Sequence, residues 1–99
     1  MKYTIYQLSE YPLAFMPWFW VKNQFNFANY KEVYTGHETA EDKEDLLNKL
    51  FHIFNVAHPD DFRGHSMSVS DVVKLHGCGE NGEDEYYFCD AIGWQKVEV

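Results

Sequence analysis

A chain of 99 residues is long enough to bury one core without disulfide or metal staples and too short to expect a second domain, so residues 1–99 are read as a single domain. The apolar fraction of 45%, with 18% aromatic residues, excludes a disordered chain. Sixteen acidic residues against eight basic ones give a formal charge of −8, which repels phosphate backbones and argues against direct nucleic-acid binding.

A basic protein surface is the natural complement of that charge, although the same excess also keeps an aromatic-rich protein soluble. The longest apolar stretch, residues 13–21, is punctuated by Pro12 and Pro17 and falls short of the roughly 20 residues that a membrane span needs. Met1-Lys2-Tyr3-Thr4-Ile5-Tyr6-Gln7 leads to no cleavable apolar region, so a cytoplasmic location is expected. Cys78 and Cys89 are then expected as reduced thiols.

Tyr3-Thr4-Ile5-Tyr6-Gln7-Leu8 is rich in β-branched and aromatic residues and predicts a first strand, broken by Ser9-Glu10-Tyr11-Pro12. Between residues 13 and 27 the aromatics Phe15, Trp18, Phe19, Trp20, Phe25 and Phe27 fit neither the helical nor the strand period, and Pro17 limits any helix there. A short strand or helical turn followed by a loop is the expectation. Tyr30-Lys31-Glu32-Val33-Tyr34 predicts a second strand stopped by Gly36. A helix follows over about 39–55, capped by Thr39, with acidic residues in its first turns and Leu46, Leu47, Leu50, Phe51 and Phe54 as its buried stripe. Residues 69–76 and 86–90 predict two strands pairing as antiparallel neighbours across a glycine-rich acidic loop, and residues 92–97 predict a short last strand. The fold class is therefore α+β: a small antiparallel sheet of four or five strands packed against one main helix.

The order of these segments resembles the YodL-like domain family of bacterial mobile elements. The resemblance rests on Tyr3-Thr4-Ile5-Tyr6-Gln7-Leu8, on Tyr30 with Val33-Tyr34-Thr35-Gly36, on Phe54-Asn55, and above all on the run from His58-Pro59-Asp60-Asp61-Phe62-Arg63-Gly64 through Val73. Tyr86-Tyr87, Asp90 and Gly93-Trp94 complete it. It implies a setting of conjugative elements and phages, in which small acidic proteins disarm host restriction or CRISPR defences. Met16-Pro17-Trp18-Phe19-Trp20-Val21 departs from the family's more polar, helical pattern and marks a surface peculiar to this chain.

No catalytic motif stands out. His65, Ser66, Ser68, Ser70 and Asp71 are the residue types of a hydrolase triad, but groups this close in sequence rarely converge as nucleophile, base and orienter, and no Gly-x-Ser-x-Gly elbow surrounds them. A turn that bonds its own backbone and launches a strand is the simpler reading. His58, His65, His76, Cys78 and Cys89 lack the spacing of a zinc site, and Gly77, Gly79 and Gly82 lack the lysine and helix of a phosphate loop. No cofactor is expected. Two features remain as candidate partner-binding surfaces: the acidic clusters Glu38, Glu41, Asp42, Glu44, Asp45 and Glu80, Glu83, Asp84, Glu85, and the aromatic residues Trp18, Phe19 and Trp20.

The expected function is non-enzymatic: an anti-CRISPR or antirestriction inhibitor that occupies a basic nucleic-acid-handling surface on a host nuclease, with the type II CRISPR effector as the leading target. An interaction or regulatory module for conjugation is one alternative, and a small hydrolase built on residues 65–71 is the other.

Overall fold

The structure is a computed structural model and describes residues 1–8, 16–23, 25–62, 64 and 66–99. The strand breaker at 9–12, Phe15 of the aromatic segment, and Arg63 and His65 of the central run lie outside the described residues. Among the described residues five strands form one antiparallel sheet in the order β2-β1-β3-β4-β5. These are β1 Lys2–Leu8, β2 Tyr30–His37, β3 Val72–Leu75, β4 Glu85–Cys89 and β5 Trp94–Val97. One long helix, α2 (Lys43–Val56), lies on one face, and a four-residue helix, α1 (Trp18–Val21), belongs to the cover of the other.

The register explains why β1 alternates only in part. Tyr3 stands opposite Leu75 and Ile5 opposite Val73, and these four side chains form one core with Leu46, Leu47, Leu50 and Phe54 of α2. On the opposite face Val72 and Phe88 are cross-strand neighbours, and with Val21 and Val97 they form a second core against Tyr6, Trp18, Phe25 and Phe27. A strand covered on both sides has no reason to show polar residues at every second position. Trp18 packs at 5.1 Å from Phe88 and 5.4 Å from Phe25, while Phe27 meets Tyr6 at 4.8 Å and Tyr86 at 5.3 Å between ring centroids. The described part of the segment that fits neither period thus holds a helical turn and leads into a 3₁₀ turn (Phe27–Asn29), with Trp18, Phe25 and Phe27 as the aromatics that lid the sheet.

Four local expectations are corrected. The second strand does not stop at Gly36: it runs to His37, because Lys2 pairs with His37 and the Glu38 amide still donates to the Met1 carbonyl. Gly36 sits inside the strand where a Cβ would lie 2.8 Å from the Tyr3 hydroxyl, so glycine admits the Tyr3 ring across the ladder. Because the sheet claims those residues, the helix cannot start at Thr39. Asp42 is the cap, accepting from the Asp45 amide at 2.8 Å, and the Asp45 carboxylate accepts from the amide of Glu41, the residue before the cap, at 3.0 Å. Phe51 is not part of the buried stripe; it is 42% exposed on the flank of α2.

The third strand begins at Val72 and not at Val69, since Ser70 takes a left-handed backbone with φ 87° that no strand tolerates. The conformation is held by the Ser70 amide donating to the Cys89 carbonyl at 2.8 Å and by the Tyr30 hydroxyl donating to the Ser70 carbonyl at 2.6 Å. Asp71 is buried and accepts from the Ser68 amide and from Gln7 Nε2, each at 3.0 Å. Phe62 and Met67 close the core under the end of α2, Phe62 lying edge-on to Phe54 at 4.8 Å.

Truncating the stripe of α2 leaves a cavity in a dry core. Leu50→Ala and Phe54→Ala are each expected to lower the unfolding free energy by about 2–5 kcal/mol, read from urea unfolding curves. Phe51→Ala is expected to shift it much less, and near-neutral curves for the first two would show that the core lies elsewhere.

Candidate interaction surface

The acidic residues singled out by sequence divide sharply in the structure. Glu41, Asp42 and Glu44 are exposed, and Glu38 and Asp45 are half-buried beside them at the start of α2. Asp42 and Asp45 double as caps, and Glu38 Oε1 accepts from the Thr39 amide at 3.1 Å. Two lysines lie close to this group, Lys49 sharing a recess with Glu41 and Asp45. Lys43 is turned to Glu85, and Lys49 donates to the Thr39 carbonyl at 2.6 Å.

The second cluster is largely used within its own loop. Glu83 accepts from the Asn81 amide at 2.8 Å, and Asp84 accepts from the Gly77 amide at 2.8 Å and pairs with Lys74 at 3.4 Å. The Gly77 amide, helped by Lys74, holds the Asp84 carboxyl below its usual range. Glu80 is exposed. Glu85 is not a surface group: it is 6% exposed, and it receives Lys43 Nζ at 2.8 Å, the Tyr87 hydroxyl at 2.8 Å and Lys96 Nζ at 3.1 Å. The Lys43 hydrogen bond foremost, then that of Tyr87, pulls its carboxyl from 4.5 to about 2 against the opposing effect of burial. One carboxylate thereby ties the start of α2 to β4 and β5.

The aromatic candidates divide as well. Trp18 is half-buried in the second core, whereas Phe19 and Trp20 are 73% and 64% exposed, standing edge-on at 6.1 Å with Lys22 Nζ 5.6 Å from the Phe19 ring centre. Asp90 Oδ1 accepts from the Trp18 amide at 3.0 Å and from the Ala91 amide at 2.8 Å, so α1 is fastened to the β4–β5 turn. Ile92 at the tip of that turn is 95% exposed.

Between α2 and the β4–β5 hairpin lies a groove of about 510 Å³, walled by Asp42, Glu44 and Asn48 and floored by Leu47, Tyr87 and Trp94. It continues into a recess of about 240 Å³ edged by Phe51, Asp90 and Ala91, and the Trp94 indole N–H, 3.4 Å from Asn48 Oδ1, spans the join. Sequence reasoning missed Asn48, Phe51, Asp90 and Trp94 as surface residues, because the groove exists only where a helix and a hairpin 46 residues apart in sequence meet. The helical period placed Phe51 on the buried stripe and so gave no signal of the groove.

His76 and His58 have structural partners. His76 Nε2 lies 2.7 Å from Thr4 Oγ1, which lies 2.9 Å from Thr35 Oγ1, and burial first, then the charges of Lys74 and Lys2, lowers the imidazole pKa. His58 Nδ1 is 3.0 Å from the Pro59 carbonyl. Cys78 and Cys89 are free thiols, and burial pushes Cys89 up to about 12. Among the described residues no three His, Cys, Asp or Glu side chains gather in a way that would hold a metal ion, and no helix is long and apolar enough to cross a membrane.

The YodL-like domain matches residues 2–99. The chain belongs to the YodL-like domain family. It is 31% identical over 70 residues to the uncharacterized protein YodL of Bacillus subtilis (strain 168), a match that takes in 69% of this chain and 65% of that protein. No solved structure matches.

Two outcomes follow for this YodL-like domain. Because the Glu85 carboxyl is depressed on folding, the stability it contributes is fully present above its ordinary 4.5 and is lost as pH falls from there toward about 2. The stability gap between wild type and Glu85→Gln, measured by urea unfolding, is expected to shrink across that window; a gap that stays constant would refute the assignment. Trp18→Ala is expected to cost about 2 kcal/mol or more in stability, with Phe19→Ala and Trp20→Ala each within about 0.5 kcal/mol of wild type, all read from melting curves.

Proposed function

We propose that this domain is a non-enzymatic protein-binding module of a mobile element, acting in the cytoplasm on a basic surface of its partner. The leading assignment is an anti-CRISPR or antirestriction inhibitor, and the leading target is a type II CRISPR effector, whose guide and target channels are positively charged. The observation that supports this reading is the group of carboxylates at the start of α2. They project from a capped helix, outnumber the neighbouring Lys43 and Lys49, and adjoin a groove. A fixed patch with a net excess of one sign raises association rates with an oppositely charged cleft and fixes orientation there.

The test uses the purified guide-loaded effector in a DNA cleavage assay with the whole domain added. Inhibition is expected. Glu41, Asp42, Glu44 and Asp45 changed together to their amides should still give a folded protein, because asparagine also caps helices, and should weaken inhibition by about tenfold or more at low salt, with the gap narrowing as salt rises. Equal potency of both proteins at low and moderate salt would remove the electrostatic reading. In the same assay, Phe19→Ala or Trp20→Ala is expected to cost about 2 kcal/mol if that residue anchors the partner.

A further inference from the structure

The groove beside α2 differs in character from the helix start, since it joins an apolar floor to a charged rim. We infer that it seats an extended, basic segment of the partner protein, two of whose alternate apolar side chains enter the groove while flanking lysine or arginine side chains meet Asp42, Glu44 and Asp90. The inference rests on the reading of the domain as a protein-binding module and specifies which element of the partner is gripped.

Charge selects the occupant. Lys43, which also lines the groove, and Lys96 share the one Glu85 carboxylate, at 2.8 Å and 3.1 Å. Against Lys43 the groove and its recess carry Asp42, Glu44 and Asp90, so the rim has a net negative charge, which disfavours a phosphate or carboxylate ligand. The floor then asks for apolar matter: Leu47, Tyr87 and Trp94 line the larger part, whose volume of about 510 Å³ falls in the range of ligand clefts, and the half-exposed Phe51 borders the smaller part.

Shape selects an extended chain. The Asn48–Trp94 bond crosses the groove and leaves one recess on each side. Two recesses along one line match the alternate side chains of an extended segment, which all point the same way. Gly93 on the hairpin side has φ 79°, and no atom lies within 4 Å of where a Cβ would stand, so the rim is open there for a chain to cross.

The experiment titrates the ¹⁵N-labelled whole domain with the amidated peptide Lys-Leu-Lys-Leu-Lys, alongside Lys-Gly-Lys-Gly-Lys and Glu-Leu-Glu-Leu-Glu. Saturable shifts are expected at the Trp94 indole N–H, the Asn48 side-chain amide and the Gly93 amide, with both control peptides at least tenfold weaker. Asn48→Arg, at an exposed helix position, should weaken the first peptide at least tenfold with an unchanged melting temperature, whereas Asn48→Glu should bind as well as wild type or better. Should Asn48→Arg melt early, Glu44→Lys is the substitute, expected to weaken binding in the same direction. Shifts confined to residues 80–85 or to Phe19 and Trp20, equal binding of the glycine peptide, or full binding by a stable Asn48→Arg protein would overturn the inference. A peptide seated in the groove of a domain that inhibits no nuclease removes the nuclease reading and leaves the groove assigned. Inhibition without these shifts does the reverse.

Discussion

Strands β1 and β3 have almost no solvent face, and the rest of the molecule is arranged around covering them. Tyr3, Ile5, Val73 and Leu75 need a layer on one side, and Tyr6 and Val72 need one on the other. Among the described residues the second layer is built from a four-residue helix, a 3₁₀ turn and the rings of Trp18, Phe25 and Phe27, aromatic residues that each bury a large area. Elsewhere the same face of the sheet turns polar, with Thr4 bonded to both Thr35 and His76.

This economy of cover decides what is left for the surface. Trp18 is held inside while Phe19 and Trp20, its immediate neighbours on a single helical turn, point away from it. On the other face the Glu85 carboxylate draws Lys43 and Lys96 toward it, which leaves Lys49 as the counter-charge beside Glu41 and Asp45 at the start of α2. The buried ion cluster and the exposed acidic patch are thus two results of one arrangement. Removing Lys43 from the helix start would alter both.

The sheet and the helix were legible because their signals are local and periodic: Leu46, Leu47, Leu50 and Phe54 sit at helical spacing, and the β3 and β4 runs are apolar and separated by glycine turns. What was not legible depends on contacts between distant segments. Thr39 and Asp42 are equally good caps by composition, and only the pairing of His37 with Lys2 settles which one starts the helix. The acids of the hairpin loop look alike in sequence, yet Glu85 faces inward because it alternates with Tyr86 on β4 and stands opposite buried Leu75. The groove is the extreme case, since Asn48 and Trp94 carry no mark of their meeting.

The topology also sets a sequence of events in time. Strand β1 is first in the chain, but its central partner β3 is separated from it by β2, α2 and the long connection that holds Phe62 and Met67. On a ribosome adding about 5–20 residues per second, β1 and β2 therefore wait several seconds as a two-stranded ribbon before the strand that completes their apolar face emerges. A lone hairpin is marginal in water. The pairing of β1 with β3 is the non-local closure of the sheet, the kind of contact that slows folding relative to a helical chain of the same length, and until it forms Tyr3, Ile5 and Tyr34 lack the strand that completes their apolar layer.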